Sequence, residues 1–378
     1  MNLVTLRSRT TIVASIFAIA CHWVTGASAL APNGLREEAP SVQIDTAHTG
    51  GIQFPEGFAP PLTKAWSIDT GGNSTYALIA EGKVFVLSNG YDVLAYDLAT
   101  GSRVWEHLVS NGTMGIAYDK GQLFLIDAGG LMTALKSKSG KIAWSAQMPG
   151  GEWLFLTPPI AADGQVYTYG AGFGATLYAV DEKTGHVNWS HLLEGGAKGS
   201  PAFGGGGVYV SFASDYYKFS TTGRTLWHYD AHGGGGGSTP TYFKKRVYIN
   251  DISKNAIVDS KSGDIVGTYA GNDMPAFFSL DEKDYGLTIV DNKLSCFNAE
   301  NGNVVWNFSA SGLAGYPIVI NGQPIVGSTS GSIYMLDGKN GKQIWTDKVS
   351  GTVLSGLSAG EGKLVVVFGN IVTVYAPQ

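Results

Sequence analysis

Cysteine is almost missing from this chain. Of 378 residues only Cys21 and Cys296 carry a thiol, so an adjacent cysteine pair, a Cys-x-x-Cys-His haem site and a disulfide framework are all excluded. Charge is scarce as well, at 15% of residues, and 30 acidic residues outnumber 25 basic ones without any basic run. A nucleic-acid partner needs clustered Lys and Arg to neutralise phosphates, which excludes that class and argues equally against an acidic membrane surface. No apolar stretch reaches the ~20 residues that a spanning helix requires, so no transmembrane segment is expected. What is plentiful is glycine, with 53 residues, the composition of a protein made largely of turns. The 44% hydrophobic content is enough for a continuous core.

The first 29 residues read as a targeting segment: Arg7 and Arg9, the apolar stretch 11–20, then Ala27-Ser28-Ala29 as a small-residue cleavage signature, which starts the mature chain near Leu30 and implies secretion. The competing reading takes Ala18-Ile19-Ala20-Cys21 as a lipid-attachment site, placing an acylated chain in a periplasm. Residues 30–60 are polar, proline-bearing and aperiodic, which predicts a flexible or surface-draped arm. Cys296, in an apolar alternating run, reads as a small buried hydrophobe rather than a reactive thiol.

The organising signal is a period. A glycine followed four residues later by tryptophan recurs at Gly101/Trp105, Gly140/Trp144, Gly185/Trp189, Gly223/Trp227, Gly302/Trp306 and Gly341/Trp345. With the degenerate copy at Gly263, the intervals are 39, 45, 38, 40, 39 and 39 residues. Each copy joins an alternating apolar run to a tryptophan run through an Asp/Asn-x-x-(Thr, Ser or Asn)-Gly turn, a hairpin signature. Two further apolar runs precede each hairpin. About forty residues and four strands per unit is the arithmetic of a β-propeller blade. Trp66 lies in phase, 39 residues before Trp105, and the C-terminal run lacks a tryptophan strand of its own. A strand around Trp66 therefore completes the last blade and closes the ring. This predicts an all-β, eight-bladed propeller over residues 61–378, with Gly267 standing where the fifth repeat lacks its tryptophan and Trp66, Trp105, Trp144, Trp189, Trp227, Trp306 and Trp345 docking neighbouring blades.

The repeated Tyr/Leu-x-x-Asp-x-x-Thr-Gly-x-x-x-Trp pattern resembles the pyrroloquinoline-quinone-type repeat of eight-bladed quinoprotein dehydrogenases. It is also similar to that of their non-enzymatic relatives, among them the lipoprotein of bacterial outer-membrane β-barrel assembly, whose size this chain approaches. The resemblance implies two alternatives. In the enzymes a quinone (PQQ) sits over calcium held by carboxylate and amide ligands. Calcium wants six to eight oxygens, and the presumed innermost runs 200–207, 238–243, 316–320 and 354–359 carry no carboxylate, so no cofactor and no catalytic residue are expected. Smaller motifs fail on context. Gly356-Leu-Ser358-Ala-Gly360 lacks the strand-turn-helix of a nucleophile elbow. His228 and His232 lack a third metal ligand, and Gly233–Gly237 lacks the Lys and helix of a phosphate loop.

What remains is a surface. Loops between blades and between second and third strands share one face, and they collect Trp153, Phe155, Phe173, Tyr216, Tyr217 and Tyr316, a candidate binding face for a protein, peptide or glycan. Sequons at Asn73, Asn111, Asn188 and Asn307 are expected to be exposed and available for glycosylation. The expectation is a secreted, monomeric, non-catalytic binding or scaffold propeller. The alternatives are a small quinone-dependent sugar or alcohol oxidoreductase and a lipid-anchored outer-membrane assembly subunit.

Overall fold

The computed structural model describes residues 37–54, 57–150, 154–171, 175–193, 199–212, 215–230, 237–250, 255–271, 274–351 and 354–378. Among them there is no helix. The strands form eight antiparallel sheets in chain order, one of which carries an added strand. Blades one to seven begin at residues 78, 113, 160, 202, 241, 276 and 313, and each runs four strands outward from the channel. In the eighth, strands Leu354–Gly360, Lys363–Phe368 and Ile371–Pro377 are completed on the outside by Leu62–Asp69, in register from Leu62 opposite Pro377 to Asp69 opposite Ile371. The first and last parts of the chain thus share one sheet.

Third strands such as Asp92–Asp97 are buried through their centres because they pack on both neighbouring blades, while outermost strands such as Arg103–Leu108 alternate. The tryptophan is the inward-turned residue of that alternation. Its indole Nε1 donates to a carbonyl of the next blade: Trp66 to Leu98 at 2.9 Å, Trp105 to Ser137 at 2.7 Å, Trp144 to Glu182 at 2.8 Å, Trp189 to Thr221 at 2.9 Å, Trp227 to Ser260 at 3.1 Å and Trp306 to Gly338 at 3.0 Å. Each indole also lies on the turn glycine of that next blade. At Gly140 (φ +64°) a Cβ would stand 2.6 Å from the Trp105 ring, so this position needs glycine for both its backbone and its clearance. In the fifth blade, where Gly267 replaces the tryptophan, the space is filled by the chain itself. A Cβ at Gly302 would lie 2.0 Å from the Thr268 carbonyl. Trp345 instead meets Tyr375 of the eighth blade edge to face at 5.5 Å.

Residues 37–54 do not drape over the surface, and the expectation of a flexible arm is corrected. Ala39, Ser41, Ile44, His48 and Ile52 are each at most 1% exposed, because the segment runs around the channel mouth and pairs with the inner strands in blade order. Glu361 N–H donates to Glu37, Ile79 pairs with Ala39, and Tyr118 N–H donates to Pro40. Then Phe203 donates to Thr46, Tyr242 to Ala47, Phe277 to Thr49 and Val319 to Gly50, at 2.7–2.9 Å. Gly51–Ile52 adds a short parallel strand to blade seven. The driving force is backbone satisfaction: the inner-strand amides at a buried mouth need acceptors, and the arm supplies carbonyls. Gly51 is required where the arm passes closest, since a Cβ there would lie 2.5 Å from the Phe277 carbonyl.

Candidate functional site

The inner strands end, on the side the arm covers, in the same direction as the Asp-x-x-x-Gly turns. The arm therefore closes the channel on the turn face, opposite the loops between blades. Residues 41–45 dip inward, with Gln43 (4% exposed) donating from Nε2 to the Met274 and Pro317 carbonyls at 3.2 and 3.1 Å. Two cavities flank the arm. One of about 410 Å³ lies between it and Phe203, Tyr242, Phe277 and Phe278, with Lys244 at its edge. Another of about 360 Å³ lies toward blades two and three, bounded by Glu38, Asp119, Lys120 and Asp163. A wider cleft of about 760 Å³ opens between blades three and four around Lys120, Asp163, Glu182 and Trp189.

The electrostatics concentrate here. His48 is buried in the arm and Asp45 half-buried beside it; desolvation pushes the carboxyl up and the imidazole down against the hydrogen bonds each makes. Glu182 is 5% exposed; burial first, then neighbouring Asp119, push its carboxyl up to about 7, with Lys120 opposing. A raised carboxyl means that the folded chain keeps a proton which the unfolded chain releases near its ordinary value. The associated stability is fully present below about pH 4.5 and is lost as pH rises toward 7. Glu182→Gln keeps the shape without the charge, so wild type should lose about 2 kcal/mol relative to the variant between those pH values. Urea midpoints at both pH values check this, and parallel profiles for the two proteins would count against it. Lys218, 7% exposed in the fourth blade, donates to the Ser260 carbonyl of the fifth at 2.9 Å, and burial pulls its ammonium down.

The aromatic face predicted from sequence is not assembled as expected. Phe155 is 1% exposed and packs on Tyr178 with centroids 6.2 Å apart. Tyr216 is buried against Tyr229 at 5.6 Å. Tyr217 is half-buried on a strand, stacked on His228 at 4.2 Å. Both tyrosines belong to the regular strand Asp215–Ser220, not to a loop, so alternation turns them into the blade interfaces. Tyr316 stands exposed at the channel mouth of blade seven, as do Met114 in blade two and Leu156 ahead of blade three. Trp153, Phe173, His232 and the whole targeting segment, with Cys21 and Leu30, lie outside the described residues. The four sequon asparagines, Asn73, Asn111, Asn188 and Asn307, are exposed, although Asn111 Nδ2 donates to Asp127 and Asn188 Nδ2 to Gln165. Ser358 is buried on an inner strand, and burial pushes the Cys296 thiol up to about 12. The residues that sequence reasoning passed over are those of the arm. Their only local signals are the Asp45-x-x-x-Thr49 spacing of an Asx-type turn and the Gly50-Gly51 pair.

Among the described residues no three His, Cys, Asp or Glu side chains converge. Asp45, in the arm, already accepts from Ala47 N–H and Thr49 N–H at Oδ1 and from the Thr49 hydroxyl at Oδ2. A calcium ion takes six to eight oxygens, of which Asp45 could add only the remaining site on Oδ2.

Fold and site together define a tryptophan-docked, eight-bladed propeller of the pyrroloquinoline-quinone-repeat class, closed on one face by its own arm. The chain belongs to the family described as outer membrane protein assembly factor BamB, whose model matches residues 62–167, 92–214, 155–275 and 290–376. It is similar to the BamB of Shewanella oneidensis, 22% identical over 75% of this chain and 80% of that protein. It is also similar to the dehydrogenase subunit of the quinone alcohol dehydrogenase of Gluconacetobacter polyoxogenes, 24% identical over 81% of this chain. The chain spans only 43% of that subunit, and 42% of the tetrathionate hydrolase of Acidithiobacillus ferrooxidans that it also matches. Among solved structures, BamB from Moraxella catarrhalis superposes with a TM-score of 0.67 at 18% identity, covering 83% of this chain and 99% of that one. The quinohemoprotein alcohol dehydrogenase of Comamonas testosteroni superposes with a TM-score of 0.74 at 13% identity, covering 92% and 81%.

Proposed function

We propose that this chain is a non-catalytic, protein-binding propeller of the outer-membrane assembly type, exported to the cell envelope. The carrying observation is the family match: the assembly-factor model covers residues 62–167, 92–214, 155–275 and 290–376, so that nearly every blade is included. The donor chemistry at the channel mouth agrees, since three of the acceptor sites on the Asp45 carboxylate are already taken by Ala47 and Thr49. The face opposite the arm is the docking side: it exposes Tyr316, Met114 and Leu156 around the channel mouth, and Trp153 and Phe173 are assigned to its loops by sequence. Exposed aromatic and aliphatic side chains around a rigid mouth supply contact area at low ordering cost.

The test pairs two measurements on the full chain. Capture from a detergent-solubilised outer membrane should retain a β-barrel assembly protein, and Tyr316→Ala combined with Met114→Ala should weaken that capture about tenfold. The mass of the recovered bait would report a start at Leu30 or an acylated Cys21. Incubation with quinone and calcium should give no alcohol-dependent dye reduction. Quinone-dependent turnover would overturn the reading in favour of a dehydrogenase, and undiminished capture by the double variant would remove this face from it.

A further inference from the structure

Met114 is the second residue of the inner strand Thr113–Asp119 of blade two, and it is 51% exposed. The strand is irregular there. Thr113 lies opposite Asp127 and Ile116 opposite Leu125, so Met114 and Gly115 together face Ile126 alone, which is a β-bulge. Side chains hold the bulge in place. The Tyr76 hydroxyl donates to the Ile116 carbonyl at 2.8 Å and accepts the Ile116 N–H at 3.1 Å, standing in for a neighbouring strand. The Thr113 hydroxyl donates to the Ile126 carbonyl at 2.7 Å. A Cβ on Gly115 would lie 2.5 Å from the Tyr76 hydroxyl and 2.8 Å from Pro158. With Gly115 wedged between those two residues, the other residue of the bulge, Met114, is turned out to solvent.

Among the described residues no other sulfur-bearing side chain is exposed. Met132, Met148, Met274, Met335 and Cys296 are all buried. Burial also pushes the Cys296 thiol up to about 12, so it offers no thiolate to an oxidant at neutral pH. Thioether oxidation needs no deprotonation, only access. A sulfur-directed oxidant therefore finds one target on the folded ring.

We propose that Met114 is a reversible oxidation site that switches docking on the loop face; this rests on the reading of that face as the partner-binding side. With hydrogen peroxide, the Met114 sulfur attacks one peroxide oxygen and the O–O bond breaks. The sulfur gives up two electrons and keeps that oxygen as a sulfoxide, and the other oxygen leaves as water with both protons. A polar acceptor then stands where the thioether was apolar. An interface built for an apolar side chain offers that oxygen no donor, and a buried polar group without a partner is costly. A methionine sulfoxide reductase reverses the step: the oxygen leaves as water while a dithiol is oxidised to a disulfide.

Peroxide treatment of the full chain, followed by peptide mass mapping, tests the site. In the folded chain Met114 should gain one oxygen about tenfold faster than Met132, Met148, Met274 and Met335, and unfolding in urea should remove the difference. Equal rates in the folded chain overturn the site. The switch is read by capture of the outer-membrane assembly protein, which should fall about tenfold once Met114 is oxidised and recover after reductase treatment. In Met114→Leu, peroxide should leave capture where it stood before treatment. Capture that survives complete oxidation of Met114, or a peroxide loss that persists in Met114→Leu, overturns the switch and leaves the docking reading standing. Recovery by the reductase decides in the native chain even where the variant captures weakly. Absence of capture by the untreated chain overturns the docking reading and the switch with it.

Discussion

Removal of residues 1–69 is expected to make the chain aggregate. The deletion strips the outermost strand from blade eight, leaving Ile371–Pro377 as an open edge whose partners from Leu62 to Asp69 are gone. It also removes the carbonyls that satisfy Phe203, Tyr242, Phe277 and Val319 at the mouth. An unpaired strand edge is a template for association with another chain, and each buried amide left without an acceptor costs about 1–3 kcal/mol. The Trp66 contact with blade one, a hydrogen bond to Leu98 and stacking on Gly101, is lost as well. Size-exclusion chromatography should show aggregates in place of the species that the full chain forms. Supplying residues 37–69 as a separate peptide during refolding should recover part of that species. A monodisperse truncated chain with an unchanged melting temperature would show that the ring closes without this segment.

A second large effect separates two glycines with nearly the same backbone. Gly140 and Gly164 both have positive φ, +64° and +78°. An added methyl at Gly164 meets nothing within 4 Å, whereas at Gly140 it meets the Trp105 ring at 2.6 Å. Alanine at either site carries the left-handed penalty of about 1–2 kcal/mol. At Gly140 it must also displace the indole from the Ser137 carbonyl, which adds lost packing and a lost hydrogen bond. Gly140→Ala should therefore cost about 3–4 kcal/mol and Gly164→Ala about 1 kcal/mol. Denaturant unfolding of the pair, with tryptophan fluorescence following the docked indoles, measures the difference. Equal losses would mean that the indole moves aside freely and is no staple.

The same contrast explains what could be read in advance. The blades were legible because each repeat restates one local chemistry: an Asp or Asn that caps a turn, a glycine that accepts positive φ, and a tryptophan four residues on. At Asp97 the cap is visible as three donors on one carboxylate oxygen, from Ala99 N–H, Thr100 N–H and the Thr100 hydroxyl. The hydroxyl contact leads the effects that hold this carboxyl below its usual range. Even Trp66, far along the chain from the blade it completes, could be placed, because a fixed period extrapolates.

The aromatic surface was misread for a related reason. The Asp215–Ser220 segment looks like a turn by composition, but pairing on both sides with Gly207–Phe212 and Thr225–Tyr229 makes it a third strand. Phe155 comes from a connecting segment whose side chain folds back beneath Gly130, at a spot where a Cβ on that glycine would touch its ring at 2.7 Å. Nothing in the residue types distinguishes an aromatic that plugs a blade interface from one that greets a partner.

Residue type and spacing by themselves determined the blade number, the strand that carries each tryptophan and the glycines beneath the indoles, because those contacts repeat at a constant separation along the chain. Only the tertiary structure decided the fate of the arm. Its contacts run through backbone carbonyls to residues such as Phe203, Tyr242 and Val319, far away in sequence and different in side chain. Hydrogen bonds of that kind impose no periodicity and little residue preference, so a polar, proline-bearing segment that looked solvent-borne became the collar of the channel mouth, with His48 enclosed inside it.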